Sequence, residues 1–155
     1  MKIEINLNKT LKLTNALINT IKLEENINFD LIIQQMDNYI KSKGFLPIGP
    51  LIQKTVYKEN EENKFDVYVT FIRQSNNFIH SVIEPYKMES VLRVKNCMYA
   101  HYIGPEDKLK FAYDKIHVTA FEEDIDLSKE TYTIFVDKQD DNIVADVFVE
   151  KESDE

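Results

Sequence analysis

Twice in this chain a carboxylate stands two residues before an aromatic ring, in Asp66-Val67-Tyr68-Val69 and again in Asp146-Val147-Phe148-Val149. In an extended strand, residues two apart share a face. Asp66, Tyr68 and Thr70 would therefore point one way, as would Asp146, Phe148 and Glu150. Val67, Val69 and Phe71, with Val147 and Val149, would point the other way, toward a helix layer. A ring can stack on a flat ligand, and a carboxylate beside it can meet a positive charge. The bland alternative is a solvated face with isolated aromatics, which is common. Tyr99, on a further strand-like segment, is a third ring that could join such a surface. The candidate ligand-binding residues are thus Asp66, Tyr68, Tyr99, Asp146 and Phe148.

Other chemistry finds less material. His80, His101 and His117 are scattered and lack metal-ligand spacing, so no metal site or cofactor is expected. Cys97 and His101 are four residues apart, about 13 Å along a strand, too far for an adjacent nucleophile pair. There is no nucleophile elbow and no phosphate-binding glycine loop. A hydrolase would need a carboxylate to activate water, with a tyrosine nearby. Asp66, Asp146 and Glu84, with Tyr57, Tyr68, Tyr99 and Tyr102, would be its parts.

These residues need elements to hold them. Ile3, Ile5, Leu7, Leu11 and Leu13 alternate as in a strand, and a second strand is expected over about 16–23. Asn28 can cap a helix whose stripe is Phe29, Ile32, Ile33, Met36, Tyr39 and Ile40, with Gly44 ending it. Pro47 and Gly49-Pro50 mark a turn, and strands at about 51–58 and 65–73 flank a polar hairpin loop. Residues 74–90 read as a connector with a short strand near 78–83. The plan then repeats: a strand over 91–103, a helix opening at Gly104-Pro105, and strands near 131–137 and 143–150. Leu109, Ala112, Tyr113, Ile116 and Ala120 form that helix's stripe. Phe111, Val118 and Phe121 widen it, which predicts cover on more than one side. Residues 152–155 read as a frayed tail. The organisation expected is one α+β domain, 1–155, with pseudo-repeat halves at about 15–74 and 90–151.

Bulk properties exclude several classes. The net charge is -8, with 27 acidic against 19 basic residues and only Arg73 and Arg93 as arginines. Phosphate backbones demand clustered basic groups, so nucleic-acid binding is not expected. No apolar run reaches the roughly 18–20 residues that span a bilayer, so no membrane partner is expected either. A single cysteine forbids an internal disulfide and suits a reducing, cytoplasmic compartment.

Three strings carry a family resemblance. His101-Tyr102-Ile103-Gly104-Pro105-Glu106-Asp107-Lys108-Leu109-Lys110-Phe111-Ala112-Tyr113 is similar to the strand, Gly-Pro turn and helix with an Ala-Tyr pair of the GyrI-like effector-binding domains. Ala145-Asp146-Val147-Phe148-Val149 resembles the strand that ends such domains, and Phe45-Leu46-Pro47-Ile48-Gly49-Pro50 resembles the linker after their first helix. The likeness covers about residues 15–151. It implies paired strand–helix–strand–strand modules whose antiparallel sheets form a concave groove, with helices on the opposite face. It also implies a bacterial, stand-alone small-molecule-binding module that takes lipophilic cations in the groove between its halves. The family's usual acid at the last strand is glutamate, whereas this chain has Asp146, one methylene shorter. Two other readings stay open. One is a protein-interaction module (inhibitor, chaperone or immunity-type) with a protein partner on its acidic surface. The other is a small-molecule hydrolase, a branch the family includes.

Overall fold

The computed structural model describes residues 1–152. In chain order the elements are β1 (Lys2–Lys22), α1 (Phe29–Ser42), β2 (Pro47–Glu59), β3 (Phe65–Ser75) and β4 (Tyr86–Pro105). After a 3-10 turn at Glu106–Lys108 come α2 (Lys110–Glu122), β5 (Leu127–Gln139) and β6 (Asn142–Lys151). The class is α+β with antiparallel strands, as the sequence predicts. The chain divides into two compact units: Lys12–Leu92, and Met1–Leu11 with the residues from Arg93 onward.

In the first of these, β3 is the central strand, paired antiparallel with β1 on one side and β2 on the other. Alternation along β3 sends Val69 and Phe71 under α1, where they pack with Leu17, Met36, Ile40 and Ile79. The helix forms where its sequence says it should. Asn28 takes an extended conformation and its Oδ1 accepts from the Leu31 N–H at 3.1 Å, while Gly44 adopts a left-handed φ of 86° after the last turn. Asn28→Ala should therefore cost about 1 kcal/mol, read as a lower urea midpoint with an unchanged slope.

In the other unit the plan recurs, with β6 central between β4 and β5. Val147, Val149 and Ala145 of β6 meet Ala112, Ile116 and Ala120 of α2, joined by Met98, Ala100 and Tyr102 of β4. The small alanines of α2 bring the helix backbone close to the sheet. Gly104 is held by the same logic: a Cβ there would lie 2.8 Å from the Tyr102 hydroxyl. That hydroxyl donates to the Pro105 carbonyl.

Several expectations fail, each for a local reason. The two N-terminal strands are one strand, β1, because Asn15 absorbs a left-handed φ of 49° without ending it. β4 starts at Tyr86, before the 91 read from sequence, and no strand forms at 78–83. The turn read at Pro47–Pro50 lies inside β2, as a bulge between Ile48 and Ile52 with Gly49 at φ 71°. α2 is covered on one side only, since Phe111, Val118 and Phe121 are exposed, the last at 85%. Of the tail, Glu152 is tied down, its N–H donating to the Asp126 carbonyl at 2.8 Å, and 153–155 lie outside the described residues. No helix among the described residues is long and apolar enough to cross a membrane.

Candidate functional site

The face of β4 and β6 turned away from α2 is built from cross-strand rows. The register places Tyr99 opposite Phe148 and Phe148 opposite Tyr132. One step along, His101 lies opposite Asp146, and Asp146 opposite Ile134. Directly opposed residues on neighbouring strands have Cβ atoms about 4.5–5.5 Å apart, so each row is a set of touching side chains. The rings of Tyr99 and Phe148 are 5.0 Å apart and tilted by 52°. Phe148 and Tyr132 are both buried.

Asp146 joins the two rows. Its Oδ1 accepts from the Tyr99 hydroxyl at 2.6 Å and lies 2.7 Å from His101 Nδ1. A carboxylate at Nδ1 favours the tautomer that carries its proton there, which leaves Nε2 as an acceptor or base. Burial, then the bond to Asp146 and its negative charge, push the Tyr99 hydroxyl well above its ordinary value of 10. The native state therefore favours neutral Tyr99. The stability this contributes is complete below about pH 10 and is lost as pH rises toward the higher native value. In an alkaline ultraviolet titration Tyr99 should ionise late, and Tyr99→Phe should remove that contribution.

Beside Tyr99 and His101 is a cavity of about 390 Å³, also lined by Glu4, Ile5, Asn6 and Lys9 of β1. It is a depression open to solvent, and its volume is at the lower end of the usual range for small-molecule sites. The Lys9 ammonium stands 4.2 Å from the centroid of the Tyr99 ring. Glu4, on the same wall, pairs with Lys2 at 2.9 Å.

Asp66 and Tyr68 belong to the other unit and have a different electrostatic setting. Lys22 Nζ is 3.7 Å from Asp66 Oδ2, and Asn60 Nδ2 donates to Oδ1 at 3.3 Å. Lys58 Nζ stands 5.0 Å over the Tyr68 ring. Lysine thus attends both candidates in that unit, so the two halves repeat a pattern without repeating a site. Of the five residues read from sequence, the structure brings Tyr99, Asp146 and Phe148 together in one unit, while Asp66 and Tyr68 belong to the other.

His101, Lys9 and Tyr132 complete the first cluster and were not among the candidates. For His101 a signal existed, since Tyr99 and His101 alternate on one strand. For Lys9 none did. Cys97 is buried and its thiol is pushed up to about 11, chiefly by burial, with Sγ donating to the Val94 carbonyl. That thiol is no nucleophile for this site. Among the described residues no group of three or more His, Cys, Asp or Glu could hold a metal ion.

No protein-family model matches the sequence, and no curated protein matches it. Solved structures do. The C-terminal domain of EcmrR superposes with a TM-score of 0.61 at 15% identity, covering 99% of this chain and 100% of that one. This chain has the fold of that domain. EcmrR in a complex with DNA matches with a TM-score of 0.67 at 19% identity over 97% of this chain. The match spans only 58% of the EcmrR chain. A hydrolase from Listeria innocua matches with a TM-score of 0.59 at 12% identity, over 97% of this chain and 92% of the hydrolase. At these identities the likeness shows the fold, which agrees with the GyrI-like arrangement implied by the sequence strings.

Proposed function

We propose that this chain is a small-molecule-binding module, and that its ligand sits on the Tyr99–Asp146–Phe148 face of β4 and β6 beside the β1 wall. The observation that carries the reading is the placement of a carboxylate between a tyrosine hydroxyl and a histidine, next to paired rings, on the sheet face without a helix. Such a surface suits a flat ligand bearing positive charge: the half-buried Tyr99 ring, backed by buried Phe148, supplies area and the quadrupole, and Asp146 supplies the counter-charge. The fold shared with the EcmrR C-terminal domain supports ligand binding as the role. A lone buried thiol fits a reducing, cytoplasmic setting.

Titration with N-methylquinolinium, a flat monocation, followed by NMR on wild type and Asp146→Asn, tests the reading. Shifts confined to the Tyr99–Phe148 face and weakened in the variant support it; shifts that ignore Asp146 sink it.

A second reading has its own observation. The His101–Asp146 pair, with Nε2 available beside a cavity, can act on water, and one structure of the same fold is a hydrolase. Nε2 would take a proton from water as its oxygen attacks an ester carbonyl, then return that proton to the departing alkoxide. An ester hydrolysis rate no greater than that of free imidazole, and unchanged by His101→Gln, would remove this reading.

A further inference from the structure

The site carries a cation of its own. Lys9 Nζ at 4.2 Å from the ring centroid is well inside the roughly 6 Å at which an ammonium is held by an aromatic face. The Tyr99 ring has little freedom to offer a different face. Its hydroxyl is tied to Asp146, and Phe148 packs against it at a tilt. Lys9 makes no ion pair with a carboxylate among the described residues, and the acid that shares its cavity wall, Glu4, is engaged by Lys2. The ring is the partner Lys9 has.

We infer that Lys9 is a tethered occupant of the ligand site: its ammonium holds the ring face that a cationic ligand would take, and such a ligand binds by displacing it. This rests on the binding-module reading given above. Lys9 then sets specificity. Any flat ring taking that face must displace the ammonium, and a cation meets a like charge on the wall besides, which an uncharged ring of the same shape does not. The affinity a cation shows is reduced by the interaction Lys9 must give up. A cation–π contact at an exposed position is worth about two- to fivefold in a binding constant, and relief of like-charge repulsion adds to it.

The test compares N-methylquinolinium with quinoline, its uncharged relative at neutral pH, on wild type, Lys9→Gln, Lys9→Arg and Tyr99→Leu. Lys9→Gln should bind the cation about threefold tighter or more, with a smaller gain for quinoline, while Lys9→Arg should stay at the wild-type value. A second readout needs no affinity. In wild type the Lys9 side-chain methylene protons should be shifted upfield by the Tyr99 ring current, and should return toward ordinary lysine values as N-methylquinolinium saturates the site. If Tyr99→Leu weakens the cation but Lys9→Gln leaves it unchanged, the tethered-occupant idea is overturned and the binding module stands. If N-methylquinolinium binds neither wild type nor Lys9→Gln, both fall together.

Discussion

Phe71→Ala should lower the unfolding free energy by about 3–5 kcal/mol, the range for truncating a fully buried aromatic. Phe71 has no exposed surface, sits on the central strand of its sheet and meets Phe29 edge-on at 5.2 Å. Met36 and Ile40 of α1 close the space around it. Neither neighbour can move far, because α1 is anchored from the sheet: Arg73 Nε donates to Asp37 at 2.8 Å and its Nη1 to the Gly49 carbonyl at 2.7 Å. The cavity would persist, and the cost grows with what cannot collapse. Urea unfolding followed by far-ultraviolet circular dichroism reads it directly. A domain of this size has about 5–15 kcal/mol in total, so the loss is a substantial share of it. Phe121→Ala, at a ring 85% exposed, is the internal contrast and should move stability by less than about 0.5 kcal/mol.

The second large effect is on binding. Asp146→Asn should weaken N-methylquinolinium at least about tenfold, about 1.4 kcal/mol, while leaving the fold in place. An amide of the same shape can still accept from the Tyr99 hydroxyl through its oxygen, so the rings keep their positions. What disappears is the negative charge on a side chain only 23% exposed, where solvent screens less than at the surface. Asp146→Ala is a different experiment. It strips two hydrogen-bonding groups of their partner and should cost about 1–3 kcal/mol of stability besides the binding. Comparing the two separates charge from scaffold.

What could be read in the sequence follows from how far each signal reaches along the chain. The cap at Asn28, the stripe of α1 and the left-handed Gly44 are short-range facts, and all three are where the residues put them. Alternation is also local, and it sorted Val147 and Val149 from Asp146 and Phe148 onto opposite faces correctly. Register is not local. That His101 stands opposite Asp146 depends on how β4 slides along β6, and a shift of a single residue would turn every side chain to the wrong face. Lys9 over Tyr99 joins residues ninety positions apart in the chain. The break read between 13 and 16 falls at Asn15 for a chemical reason: polar residues that tolerate a left-handed backbone mark turns in most chains, and here Asn15 lies inside a long strand.

The units differ in how their residues are drawn from the chain. One is a continuous stretch, Lys12–Leu92, whereas the other takes Met1–Leu11 and then everything from Arg93 onward. During synthesis the continuous unit has all its strands available once Leu92 has left the ribosome. The first eleven residues must wait much longer for their neighbours. The Ile3 carbonyl accepts from Lys115 Nζ at 3.1 Å, and Asp146 arrives later still. The wall that carries Lys9 is therefore made well before the residues that complete its unit, and until then its apolar side chains wait without their neighbours.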